Sequence, residues 1–496
     1  MTADFTSRTA RINDVLCAVN TLQWDSRVMM PPQGAATRGQ QIATLKAMAR
    51  SMILDPALAR AAEALLGSDD PLQQRAAETV LAARDHHARL PDALLQEQAE
   101  NATLAGAAWA EARRTADFAL FRPYLERSVA IARRTAEALG YDGHPYDAHV
   151  AVFEPGETAA SLTRLFDRLR AGLRPILAAA QARPAPRSNF LFRHYPKAAQ
   201  QAFCAEIAGV LGYDYARGRL DTTVHPFEVS FTRNDVRITS RWNEGYLPVA
   251  IFGTIHETGH ALYEQGVDPA LTRSVHATDL PGLYAVGGTS FGMHESQSRL
   301  LENHVGRSAA FWQAHFGRLK AHFPDQLADV TAEEFAAAVN RVSPGLIRIE
   351  ADELTYDFHI MLRVRMEMAL LDGSLKVADL PEAWNAAMAE DLGVSVPDDG
   401  QGCLQDVHWS HGYMGSFPTY TIGNMTAAQL MAHLRTARPE VNAALAQGET
   451  APLRAALGDL VWRHGRSRSR AELLAGIGAD PSDPEPYLDY LRAKFA

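Results

Sequence analysis

Cysteine is scarce in this sequence: Cys17, Cys204 and Cys403 are odd in number and far apart, which argues against a disulfide framework and fits a reducing compartment. Long apolar runs are missing as well. No stretch approaches the ~18 consecutive apolar residues needed to span a bilayer. The first residues lack the basic-then-apolar order of a secretory signal, so a cytoplasmic protein with no membrane partner is expected. An excess of basic charge is also lacking. With 48 Lys and Arg against 58 Asp and Glu, the net charge of −10 opposes nucleic-acid binding, because phosphate recognition needs a basic field. No Pro/Ser/Gly linker, low-complexity tract or internal repeat divides the chain, so a single domain over 1–496 is expected. What remains, 47% hydrophobic and 21% charged, suffices for a large core.

The stretch from Gly245 to Gly266 reads as one helix, with Pro248 in its first turn and Gly266 as a left-handed end. Val249, Phe252, Ile255, Leu262 and Tyr263 give it a broad apolar face, so its polar residues are conspicuous. His256 and His260 are one turn apart and project from one face, where two neutral imidazoles can hold one ion. Glu257 lies beside them. Helical His-Glu-x-x-His is the zinc-peptidase arrangement, in which the carboxylate takes a proton from the water that the metal activates.

Two imidazoles and a water leave a tetrahedral site one ligand short. The metzincin solution fails, since Tyr263 and Gly266 stand where it needs a Gly and a His. The candidates downstream are His276, Asp279, His294, Glu295, Glu302 and His304. Glu295 is preferred: it follows Gly287-Gly288-Thr-Ser-Phe-Gly-Met-His294, a small-residue entry that lets a helix start close to another backbone.

Elsewhere the pattern is mostly helical. Leu162, Leu165, Phe166, Leu169, Leu173, Ile176 and Leu177 recur at three- and four-residue steps behind Thr158 or Ser161 as cap. A second amphipathic helix runs through Ala198, Phe203, Ile207 and Leu211 and stops near Gly212, and Leu22–Gly34 reads as a turn-rich break. His225–Trp242 alternates at period two around an Asn-Asp turn, which predicts a hairpin. Its strand edge, beside the histidines, suits an extended peptide.

These motifs resemble the carboxypeptidase Taq family of zinc metallocarboxypeptidases. The likeness is carried by His256-Glu-Thr-Gly-His-Ala-Leu-Tyr-Glu-Gln-Gly266 and His294-Glu-Ser-Gln-Ser-Arg299, with Asp235-Val-Arg-Ile-Thr239, Ile347-Arg-Ile-Glu-Ala-Asp352, Gly402-Cys-Leu-Gln-Asp-Val-His-Trp409 and Gly415-Ser-Phe-Pro-Thr-Tyr420 in family order. Val28 and Leu301 depart from the family's usual residues. The resemblance implies a mainly α metallopeptidase fold, two helical halves flanking a deep cleft with a small antiparallel sheet, similar to neurolysin and the angiotensin-converting enzymes. It also implies a homodimer, and Glu295 as third ligand to Zn²⁺ or Co²⁺, with His294 orienting or packing and Glu264 or Asp279 fixing an imidazole tautomer.

The expected activity is release of C-terminal amino acids from peptides, with Glu257 as general base. His408 and Tyr420 are the candidate oxyanion donors. A free carboxylate calls for a planar cation: Arg348 first, Arg237 second, unless either is taken by a nearby acid such as Asp352 or Asp235. The rival readings are an oligoendopeptidase on the same scaffold and a non-catalytic, metal-stabilised peptide-binding protein.

Overall fold

A computed structural model describes residues 2–496, and the chain is mainly helical. Seven helices carry the account: α1 (Thr2–Val28), α2 (Ala159–Gln181), α3 (Lys197–Leu211), α4 (Pro248–Gly266), α5 (Phe291–Arg299), α6 (Tyr356–Asp372) and α7 (Pro418–Ala437). Three strands form the larger sheet: β1 (Gly218–Thr222), β2 (Glu228–Thr232) and β3 (Asp235–Ser240). Among the described residues no helix is long and apolar enough to cross a membrane. The chain divides into two compact, discontinuous units: Met1–His87, Pro186–Asn340 and Thr426–Pro481 in the first, Ala88–Ala185, Arg341–Met425 and Ser482–Ala496 in the second.

In the first unit the apolar faces of α3 and α4 meet in one core, through Phe203, Ile207 and Leu211 on one side and Ile251, Ile255 and Leu262 on the other. Trp312 and Phe335 close it. Burying each such side chain is worth about 1.5–3 kcal/mol, which holds α4 in place along its length. Pro248 starts α4 as its spacing predicts. Gly266 does not take a left-handed conformation; it is the last helical residue, and a Cβ there would lie 2.7 Å from the Trp462 ring. Its smallness serves packing rather than capping.

The hairpin forms, with its turn at Arg233–Asn234 and Asp235 already in β3. Glu228 pairs with Ile238 and Val229 with Arg237 in antiparallel register, with a bulge between Ser230 and Thr232. The expected antiparallel sheet is in fact mixed, because β1 adds in parallel on the other side of β3. No alternation marks β1 in the sequence: Leu220 is its one large apolar residue. Near the N-terminus the helix runs on through Trp24 to Val28, so the expected break shrinks to residues 29–34. Trp24 is buried, and the guanidiniums of Arg237 and Arg219 lie over its ring.

In the second unit α2 begins at a Thr158 cap whose side chain accepts from Ser161 N, and Leu162, Leu165, Leu169, Leu173 and Ile176 form its buried stripe. Along α6, His359, Arg363 and Glu367 are all buried. Each buried charge there needs a partner. Glu367, which burial lifts to about 7, accepts from Tyr146, Trp409 and the Gly415 amide.

Candidate metal centre

Close helix approach builds the site. At Gly259, midway along α4, a Cβ would stand 2.5 Å from the backbone of Gln297 and Ser298, so only glycine lets α5 lie this near. That contact brings Glu295 of α5 to the two histidines of α4. Its Oε2 lies 3.6 Å from His256 Nε2 and 3.4 Å from His260 Nε2, and the three donor atoms all fall within 4.8 Å of one another. Bonds of ~2.0–2.2 Å in a tetrahedron put neighbouring ligand atoms roughly 3.3–3.6 Å apart, and both distances from Glu295 fall in that range. No other group of three or more His, Cys, Asp or Glu among the described residues has such a spacing.

The electrostatics point the same way. Burial works against charge on His256, yet Glu295 and Glu302 raise it to about 10, a proton held where a cation is wanted. Burial lowers His260 to about 3 and keeps it neutral. Burial also opposes charge on Glu295, but His256 and Arg299 hold it ionised, well below the usual carboxylate range. Glu257, one residue on from His256, is lifted by burial to about 7.

Each imidazole is oriented from behind. His256 Nδ1 lies 3.0 Å from Glu302 Oε2, and Arg307 donates to the other oxygen of Glu302 at 2.8 Å. Glu302, a candidate third ligand by sequence, is thus the acid that fixes His256. It sits in a π-helical continuation of α5, Leu300–Gly306, whose wider turn shifts it off the ordinary seven-residue spacing from Glu295. His260 is fixed at one remove. Its Nδ1 is 2.6 Å from His294 Nδ1, and His294 Nε2 is 3.0 Å from Glu264 Oε1. If His260 keeps its Nε2 lone pair for an ion, its Nδ1–H donates to His294, whose Nε2–H donates to Glu264. The Gly287 and Gly288 amides and the Ser230 hydroxyl donate to Glu264 in turn. The expected tautomer-fixing acid is therefore Glu264, acting through His294, while Asp279 faces Arg466 instead and His276 Nε2 meets the Leu72 carbonyl.

A family model described as carboxypeptidase Taq (M32) metallopeptidase matches residues 4–495. The chain belongs to that family. It is accordingly a metal-dependent carboxypeptidase, a peptide hydrolase. The M32 chain is 39% identical to thermostable carboxypeptidase 1 of Thermus thermophilus over 95% of its own length and 94% of the relative's. It is 35% identical to carboxypeptidase 1 of Bacillus subtilis, over 98% and 96%. Among solved structures, the M32 carboxypeptidase of Deinococcus radiodurans superposes with a TM-score of 0.94 at 38% identity, covering 99% of this chain and 98% of that one.

Of the remaining residues expected of an M32 site, Arg237 belongs to the first unit and Arg348, His408 and Tyr420 to the second. Arg237 forks onto Asp235 with two bonds of 2.9 Å and stacks between Trp24 and Phe231, so its cation is committed within the sheet. Arg348, His408 and Tyr420 come together in the second unit. Arg348 donates to Asp406 Oδ1 from Nε and Nη2 at 3.0 and 2.7 Å and to Tyr356 Oη from Nη1 at 3.0 Å. Its acid is Asp406 of the Gly402–Trp409 motif, not Asp352, which instead accepts from Ser343 N and Thr355. Arg363 shares Asp406 and helps to keep it ionised. His408 Nε2 lies 3.4 Å from Tyr420 Oη in the first turn of α7, and burial, with Arg348 and Arg363 against Asp406, lowers His408 to about 4.

Proposed function

We propose that the chain removes C-terminal residues from peptides at a divalent ion, Zn²⁺ or Co²⁺, held by His256, His260 and Glu295. The observation that carries this reading is the spacing of those three donors beside a carboxyl, Glu257, that burial poises near neutrality. Bound there, the ion supplies Lewis-acid polarisation of the scissile carbonyl and makes a water more acidic. The residues do the rest. Glu257 accepts the proton of the attacking water and returns it to the departing amine. Glu302 and the His294–Glu264 pair keep both imidazoles in the tautomer that leaves Nε2 free. Tyr420 and neutral His408 are the donors assigned to the developing oxyanion.

Arg348 is assigned to the substrate carboxylate. Three of its five N–H donors are spent on Asp406 and Tyr356, leaving one hydrogen on each terminal nitrogen, the pair that a carboxylate takes bidentately. Arg348→Ala is expected to raise KM for free-carboxylate peptides at least tenfold more than for C-terminally amidated ones. Steady-state assays on matched peptides decide it: an equal effect on both removes the assignment. A cytoplasmic homodimer acting on short peptides completes the proposal.

Glu264→Gln is expected to weaken metal binding about 10–100-fold, because the His294 Nε2–H then loses its ionic acceptor and His260 its fixed tautomer. Competition against a chromophoric chelator measures it, and unchanged affinity would show that His294 merely packs. The function itself is tested by digesting a mixed peptide library with and without chelator. One-residue ladders from the C-terminus that vanish with chelator support it, and internal cuts favour an oligoendopeptidase.

A further inference from the structure

One acid beside the metal centre lacks a partner. Glu228 opens β2, and its side chain is only 7% exposed. Its Oε1 has no hydrogen-bond partner, and the nearest basic nitrogen to Oε2, His294 Nε2, is 3.8 Å away and already engaged with Glu264. Apart from Glu257, the proposed general base, the other acids around the centre are committed. Glu264 takes two amides, a hydroxyl and His294; Glu295 takes Arg299; Glu302 takes Arg307 and His256. Arg299, a cation on the same helix as His294, is spent on Glu295 and Glu302.

Glu228 also lies close enough to Glu257 and Glu264 for both to oppose its ionisation, so that burial first, and these two acids next, push its carboxyl well above the ordinary range. A folded chain keeps a buried carboxyl without a donor only at a cost, and such groups concentrate where a ligand supplies the missing partner. The position in the sheet fits that role. β2 is an outer strand, and α1 covers it further along, where Asn20 donates to the Ser230 carbonyl and Cys17 to that of Phe231. Further along α1 the Arg27 guanidinium lies over the ring of Phe227, so Glu228 sits between these contacts, close to Glu257 and Glu264.

We propose that Glu228 is a specificity-determining residue that takes the cationic side chain of a lysine or arginine within the last two residues of the bound peptide. This rests on the carboxypeptidase reading above. A basic side chain brings the positive charge that no arginine or lysine of the chain supplies at Glu228, whereas an uncharged side chain of equal length leaves the carboxyl unpaired.

The test compares kcat/KM for peptides that differ only in lysine against norleucine, or arginine against citrulline, at the last and at the penultimate position, using the metal-loaded full chain. The wild type is expected to favour the basic peptide about tenfold or more at one of these positions, and E228Q to lower that ratio at least tenfold, with melting temperature and metal content measured alongside. A ratio that is the same in both proteins overturns the proposal. An equal loss on basic and neutral peptides overturns it too, since the carboxyl would then serve folding or chemistry rather than choice. Should E228Q not fold, E228D is read instead: shortening the arm lowers the ratio, and an unchanged ratio counts against the assignment. If the wild type releases no terminal residue from any of the peptides, the carboxypeptidase reading falls and this proposal with it; release with an unaltered ratio removes the proposal alone.

Discussion

Glu257→Gln is expected to slow peptide hydrolysis by about 10²–10⁴-fold, the range a positioned general base contributes, while the protein still binds its metal. The amide keeps the shape of the side chain but cannot accept the water's proton. The three proposed metal donors are untouched, since His256, His260 and Glu295 are held by Glu302, His294 and Arg299. Single-turnover rates together with metal content by elemental analysis separate the two effects. A variant that keeps its turnover would remove Glu257 as the general base.

Glu295→Gln has the opposite signature. Removing the anionic ligand is expected to weaken metal binding by more than the 10–100-fold that an orienting partner contributes, so activity is lost because the ion is lost. The same change leaves Arg299, which donates to Glu295 Oε1 at 2.7 Å, short of an ionic partner, and the melting temperature of the metal-free protein should fall as well. Chelator competition followed by re-addition of excess Zn²⁺ is the check. Wild-type affinity in Glu295→Gln would pass the third ligand to another acid, Glu302 before any other.

These two side chains also mark how far the sequence could be read. Spacing alone put His256 and His260 on one helical face with Glu257 beside them, because a period of 3.6 residues is a local property. Glu295 was legible as the preferred of six candidates on a small-residue trace in the sequence, and what brings it to the histidines is the close approach of two helices at Gly259, a tertiary fact. Glu302 was legible only as one candidate third ligand, and its place behind His256 was not, because a π-turn is not visible in hydrophobic periodicity. The His260–His294–Glu264 chain depends on two ring nitrogens 2.6 Å apart, and nothing local encodes that. Arg348 illustrates the same limit: its neighbour in sequence, Asp352, turns to backbone amides, and its true partner comes from 58 residues away. The parallel strand β1 escaped notice for want of alternation, and Trp24, read as lying in a loop, is held within a helix under two arginines. Glu228 carried no signal at all, being one acid in an alternating strand, until the fold left it without a partner.

The central claim is a divalent ion bound at once by two histidines of one helix and an acid of another. An anomalous difference map at the zinc edge, from crystals of zinc-loaded protein, tests it most directly. One strong peak at bonding distance, ~2.0–2.2 Å, from Nε2 of His256, Nε2 of His260 and a carboxylate oxygen of Glu295 is predicted. A peak that leaves Glu295 out of the coordination shell, or that sits on His294 and Glu264 instead, would contradict the account.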